Sequence, residues 1–276
     1  EEPVEIVAAM TVAEDRIIID FDGTSPVSGH GVNVPYCYTQ AYASYGVRCL
    51  VGATIMNNAG SLAPIEVRAP EGSILNAPRP AAVSARHAVG QMLPDVMFGL
   101  LHQILPDGAP AEGAASLWAM MLFGGPGAGD LPAHGATPFS VMGILAGGMG
   151  ARPRQDGLSA TAFPSRVRCV PIEISEAMSP IVVWRKELVT DSGGTGRLRG
   201  GLGQVLEIEN TEPMPFAMTA ATCDRRIFPA RGRDGGGAGA LGAVRLKSGH
   251  VFEGKHKHTI PAGAPAGMVC LCLPSK

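Results

Sequence analysis

The residues best suited to chemistry gather in one stretch, Asp191-Ser-Gly-Gly-Thr-Gly-Arg-Leu-Arg-Gly-Gly-Leu-Gly203, which sets two arginines and six glycines behind an Asp-Ser pair. Glycines so closely spaced are kept where the backbone turns through positive φ or where another backbone or a ligand comes very near. Consecutive peptide N–H groups in such a loop can form an anion-binding nest, and Arg197 and Arg199 would add charge-assisted donors. The same composition also suits a hairpin with glycine bulges whose arginines are solvated or paired with acids. Ser192 has no assigned base nearby, and neither G-x-S-x-G nor G-x-x-x-x-G-K-[ST] occurs in the chain, so neither a serine-hydrolase elbow nor a phosphate loop is expected.

Other groups of polar residues admit two readings each. Glu173 and Glu176, at a strand-to-turn transition before Pro180, can hold a divalent cation or pair with Arg197 and Arg199; the ion pairs are the more economical reading. His87, Gln91, Asp95 and His102 share one face if the segment is a straight helix, a face that handles protons or metal or is merely solvated. Arg225, Arg226, Arg231 and Arg233 form a basic patch able to meet an anionic substrate or acidic residues of a partner. His250, His256 and His258 suggest a metal trio, although Lys255 and Lys257 between them favour a solvated edge strand. Cys270 and Cys272 alternate along an apparent strand, and the six cysteines read as thiols rather than a disulfide framework.

Strands must position these groups. Val4–Val7, Arg16–Phe21, Ile65–Arg68, Ser116–Phe123, Phe139–Leu145, Ile181–Trp184 and Val205–Glu209 read as strands, with turns at Asp22-Gly-Thr and at Pro70-Glu-Gly-Ser73. Tyr36–Met56 favours a helix, and Asn57-Asn58 then turns the chain. Ala81–Ile104 reads as one long helix starting at Pro80 and kinked at Pro94. The fold class expected is α+β, sheet-rich, with glycine-rich hairpin loops and one long helix. Two subdomains are allowed, with a boundary near 125–150.

The 276 residues carry a net charge of −2, which gives no broad basic field and argues against nucleic acid. Only 17% of residues are charged and the mean hydropathy is +0.17, apolar enough to suggest large buried interfaces in an oligomer. No apolar run reaches the ~18 residues of a membrane-spanning helix and no signal peptide opens the chain, so a cytoplasmic location is expected.

The glycine loop closely resembles the hydantoinase B/5-oxoprolinase family, which includes the α subunits of acetone carboxylases. Further segments match in the same order: Asp20-Phe-Asp-Gly-Thr-Ser25, Ala69-Pro-Glu-Gly-Ser-Ile-Leu-Asn76, Pro80-Ala-Ala-Val83, Gly147-Gly-Met-Gly-Ala-Arg152 with Asp156-Gly157, and Pro171-Ile-Glu-Ile-Ser-Glu176. The resemblance runs along almost the whole chain but corresponds to the C-terminal half of the family's usual subunit. It implies an ATP-dependent amidohydrolase of hydantoin, oxoproline or a related cyclic amide, or a ketone carboxylase. ATP would lie on a hydantoinase A-type ATPase subunit, and any divalent metal in the N-terminal half of the B-type subunit, with no metal ligand carried over to this chain. Both would be partners in a hetero-oligomer, and the isolated chain would be inactive. By match to the family's polar motifs, Asp191, Arg197, Arg199, Asp156, Glu173 and Glu176 are the expected catalytic residues; Arg152, Ser192 and Asn58 are the expected substrate contacts. The reading of another class is a non-catalytic assembly module whose loops dock partner subunits.

Overall fold

A computed structural model describes residues 3–115, 117–125, 138–219, 225–253, 255–263 and 268–272. The chain divides into two compact units, Glu1–Ala111 and Glu112–Lys276. The division falls ahead of the 125–150 stretch suggested by the sequence. The glycines from Gly124 instead follow a strand that pairs with the next one, so the chain doubles back within one sheet there. Residues 126–137 lie outside the described residues.

In the first unit, β1 (Ala9–Val12) runs antiparallel to β2 (Ile17–Asp20), and β3 (Ile65–Arg68) lies parallel on the other side of β2. Parallel neighbours need a crossover, supplied here by α1 (Tyr36–Leu50) and α2 (Ala59–Leu62). Alternation puts Ile19, Ile65 and Val67 into the core against Ala43 and Val47 of α1. Val4–Val7, expected as a strand, lies outside the ladder; the amides of Glu5 and Val7 donate instead to the hydroxyls of Ser25 and Thr24.

The expected helix over 81–104 is two shorter ones, α3 (His87–Gly90) and α4 (Leu93–His102). Proline has no N–H to give to a preceding turn, so Pro94 falls in the first turn of a new helix instead of kinking an old one. The long helix is α1, with 15 residues. Gln91 and Asp95, read as part of a polar face, are both buried. At Gly46 α1 meets α4: a Cβ there would lie 2.8 Å from the Pro94 Cα and 2.9 Å from the Met97 Cβ.

The second unit holds two four-stranded sheets. One has the order β10-β8-β4-β5, formed by β4 (Leu117–Gly124), β5 (Phe139–Ala146), β8 (Phe216–Thr219) and β10 (Lys257–Ile260). The other has the order β6-β7-β11-β9, formed by β6 (Ile181–Leu188), β7 (Gln204–Asn210), β9 (Ala243–Leu246) and β11 (Met268–Cys272). The sheets share one apolar core, in which Trp118, Leu122, Ile208, Met218 and Val244 are fully buried. Strands β6 and β7 pair antiparallel with a bulge between Val183 and Arg185, and the glycine-rich 189–203 loop joins them. The hairpin reading of that loop therefore holds, as does the α+β, sheet-rich class. Among the described residues no helix is long and apolar enough to cross a membrane.

Gly46→Ala is expected to lower the stability of the chain by about 1–3 kcal/mol through overpacking against backbone, less the ~1 kcal/mol that alanine gains in a helix. Thermal melting followed by far-UV circular dichroism checks it; an unchanged midpoint would contradict the close helix approach.

Candidate functional site

Three segments of the second unit interlock at their glycines. A Cβ on Gly148 would stand 2.1 Å from the Gly201 carbonyl oxygen, one on Gly157 2.1 Å from that of Met149, and one on Gly201 2.1 Å from that of Leu158. No side chain fits at such separations, so these glycines are required by backbone packed on backbone. Hydrogen bonds sew the same contact: Met149 N–H to Leu158 O at 2.9 Å, Gly201 N–H to Met149 O at 2.9 Å, and Gly157 N–H to Arg199 O at 2.8 Å.

This lacing brings together three of the residues singled out from sequence. Asp156 Oδ1 accepts the Arg199 backbone N–H at 2.8 Å, and Arg152 Nε donates to the Asp156 carbonyl at 2.9 Å. The Arg152 N–H also closes a tight turn onto Gln155 O at 2.9 Å. Arg197 and Arg199 are exposed, and among the described residues their guanidinium groups make no hydrogen bond or ion pair, so their charge is available to a ligand. Asp191, at φ 55°, occupies the turn that opens the loop; aspartate tolerates that left-handed conformation.

The remaining residues have other duties. The five amides from Arg199 to Gly203 donate to Asp156, Gly194, Met149, Ser159 and Ser192, so this part of the loop is no open anion nest. Ser192 is 3% exposed; its hydroxyl donates to Val189 O at 2.6 Å and accepts the Gly203 N–H at 3.1 Å, closing the base of the loop. It is a clasp, not a nucleophile. Glu173 and Glu176 lie on helix α5 (Ile172–Met178), not at a strand-to-turn transition, and they do not pair with Arg197 or Arg199. Glu176 Oε1 accepts the Val183 N–H at 2.8 Å and so ties α5 to β6. Asn58 belongs to the first unit, where it caps α2 in a reciprocal box with Ser61.

The basic patch is largely absorbed by the fold. Arg231 holds Glu112 through its side chain at 2.6 and 2.8 Å and through its backbone N–H at 2.9 Å, while Arg225 lies 3.7 Å from the same carboxylate and reaches the Gly113 and Ala114 carbonyls. Arg226 donates to Phe252 O at 2.8 Å. In sequence Glu112 reads only as part of a small-residue segment; a lone acid in such a run, with four arginines downstream, is the available signal. His256 and His258 come within 4.4 Å, centroid to centroid, with His258 buried on β10 and His256 exposed. Among the described residues no three His, Cys, Asp or Glu side chains are placed to share a metal ion.

Burial alone would raise the Glu112 pKa, but the Arg231 hydrogen bonds and the charges of Arg225 and Arg231 outweigh it and hold the carboxyl below its ordinary 4.5.

With this geometry in hand, the chain matches the hydantoinase B/oxoprolinase family over residues 1–269 and belongs to that family. It is 30% identical over 242 residues to the 5-oxoprolinase PfmaA of Pestalotiopsis fici, a match that takes in 87% of this chain and 18% of that protein. It is 32% identical over 229 residues to 5-oxoprolinase 1 of Arabidopsis thaliana, covering 82% of this chain and 16% of the other. The crystal structure of the ATP-dependent caprolactamase from Pseudomonas jessenii shares the fold, with a TM-score of 0.76 at 21% identity over 97% of this chain and 46% of that one. The chain thus spans less than half the length of these relatives. The family to which it belongs is one of cyclic-amide hydrolases, as its members' names state.

Two outcomes follow. Gly201→Ala, which drives a Cβ into the Leu158 carbonyl, should destabilise the second unit by about 1–3 kcal/mol or more, read by the fluorescence of buried Trp118 in urea. A depressed carboxylate pKa stabilises the fold above the unfolded value near 4.5, and that gain is lost as pH falls through the folded value. Glu112→Gln should therefore cost about 1–3 kcal/mol at pH 7 and flatten the acid limb of the stability curve below pH 4.5, measured by urea titrations across pH.

Proposed function

We propose that this chain works as part of a B-type subunit in an ATP-dependent hydrolase of a cyclic amide such as a hydantoin or oxoproline. In this reading it assembles in the cytoplasm with a hydantoinase A-type ATPase subunit, which handles ATP, and with the N-terminal half of the B-type subunit. The observation that carries the reading is the pair Arg197 and Arg199. Their guanidinium groups stand outward from a loop braced by Asp156 and Arg152, with no ion pair to the described residues, in a chain of this family.

The chemistry follows from what an amide needs before water can open it. Phosphorylation of the amide oxygen turns a poor electrophile into a good one and places negative charge on the substrate. Arg197 and Arg199 would neutralise that charge and the further charge that builds as water adds and phosphate leaves, a form of stabilisation in which one preorganised donor is worth about 100-fold or more in rate. Arg152 and Asp156 act as positioning residues: Asp156 fixes the Arg199 backbone and Arg152 fixes the Asp156 backbone. Ser192, Glu173, Glu176, Asp191 and Asn58 hold the loops, strands and helix ends on which this depends.

Coexpression with the ATPase subunit and the N-terminal half tests the assignment. Substrate-dependent ATP hydrolysis with hydantoins, oxoproline or lactams should appear in the complex, and Arg197→Ala and Arg199→Ala should each lower it about 100-fold while native mass spectrometry shows the complex intact. Weakened assembly in those variants would instead make the loop a docking element of a non-catalytic module. Bicarbonate-dependent consumption of a ketone would replace hydrolysis with carboxylation.

A further inference from the structure

The first unit holds an open cleft of about 600 Å³ lined by Asp20, Asp22, Tyr36, Arg68, Pro70 and Asn76 among others. It lies at the carboxyl ends of the parallel strands β2 and β3, where a helical crossover leaves a crevice in sheets of this kind. Its size falls within the roughly 300–1,000 Å³ of ordinary small-molecule pockets.

The groups facing it are fixed from behind. Asp20 Oδ1 accepts the Asp22 N–H at 3.0 Å, which holds the two carboxyl groups on one turn. The Tyr36 hydroxyl donates to Val67 O at 2.6 Å, anchoring the phenol ring at the end of β3. Asn76 Nδ2 donates to Ala69 O at 2.8 Å, which leaves its Oδ1 as an acceptor. Arg68 stands beside Asp20 in the β2–β3 register, but its guanidinium is held by Glu66 at 2.7 and 2.8 Å. Among the described residues neither Asp20 nor Asp22 is in an ion pair, so the cleft keeps two uncompensated carboxylates.

Nearly everything left over is an acceptor: both Asp22 oxygens, the second oxygen of Asp20 and Asn76 Oδ1. A complementary ligand must bring N–H donors and positive charge. The Tyr36 ring offers a face to such a cation, and Val67, Ala69 and Pro70 offer an apolar wall to an attached carbon chain. A divalent metal ion fits less well, because it wants six or more oxygen ligands and no third His, Cys, Asp or Glu joins these two among the described residues.

The geometry points to a binding site for a small organic ammonium ion, a primary amine on a short aliphatic chain, with its nitrogen between Asp20 and Asp22. The site lies in the first unit and is independent of the proposed turnover, so its test needs no activity. Saturation-transfer NMR on the full chain compares 5-amino-1-pentanol with 1,5-pentanediol, which has the same length without the charge. The amine should bind in the millimolar range and weaken as salt rises, the diol should give no transfer, and Asp22→Asn should lower amine affinity about tenfold. The Asp22 side chain is exposed and supports no other group, so the variant should keep its circular dichroism spectrum; Asp191→Asn in the other unit is the control and should bind normally. Equal binding of amine and diol, no binding of either, or amine binding unaffected by Asp22→Asn would overturn the assignment. So would magnesium or calcium binding that excludes the amine, which would give the carboxylates to a metal.

Discussion

The contact of bare backbone with bare backbone at Gly148, Gly157 and Gly201 is the constraint on which the second unit's polar site depends. Loops without side chains to bury have few ways to hold a shape, and these are fixed by interpenetration and by amide hydrogen bonds exchanged across the seam. Because the seam is made of main chain, it places Asp156 and Arg199 with little freedom to drift. The arginine side chains are then held at their roots and free at their tips. That combination suits a site that must meet a charged, changing group with little reorganisation.

Charge is distributed by the same economy. The chain carries few ionised groups, and several of its arginines are turned inward to secure the ends of loops: Arg231 and Arg225 on Glu112, Arg226 on the Phe252 carbonyl. A guanidinium can satisfy several carbonyls or a carboxylate at once, which makes it an efficient brace where glycine-rich segments expose many backbone acceptors. The exposed pair Arg197 and Arg199 is conspicuous against that background, since the fold makes no such use of them.

Much of this was legible in the sequence, and what was missed has physical causes. Alternating apolar residues marked β2 to β7 because a strand with one buried face repeats every two residues, and the Asp22-Gly23 and Glu71-Gly72 turns announced themselves through glycine. The family was readable from the order of the glycine motifs. The helix over 81–104 was misjudged because apolar periodicity continues across Met92 and Leu93, whereas the backbone breaks before Pro94. Glu173 and Glu176 were assigned to a turn because a seven-residue helix is too short to show a period. The nest reading failed for a reason no single segment can reveal: the acceptors for the Arg199–Gly203 amides come from residues up to 52 positions away. Grouping Arg152, Asp156 and Arg199 required only the motifs, but separating Ser192 and Asn58 from them required seeing which hydroxyl and which amide were already engaged.

The bulge between Val183 and Arg185 bears on the solution behaviour of the chain. Strand β6 forms one border of its sheet, where unpaired peptide groups invite a strand from another molecule. The extra residue twists that border, and Arg185, Lys186 and Glu187 follow it directly, so an approaching strand meets a kinked ladder with ionised flanks. A sheet-rich chain with so few charges has thus concentrated three of them where β-aggregation would begin.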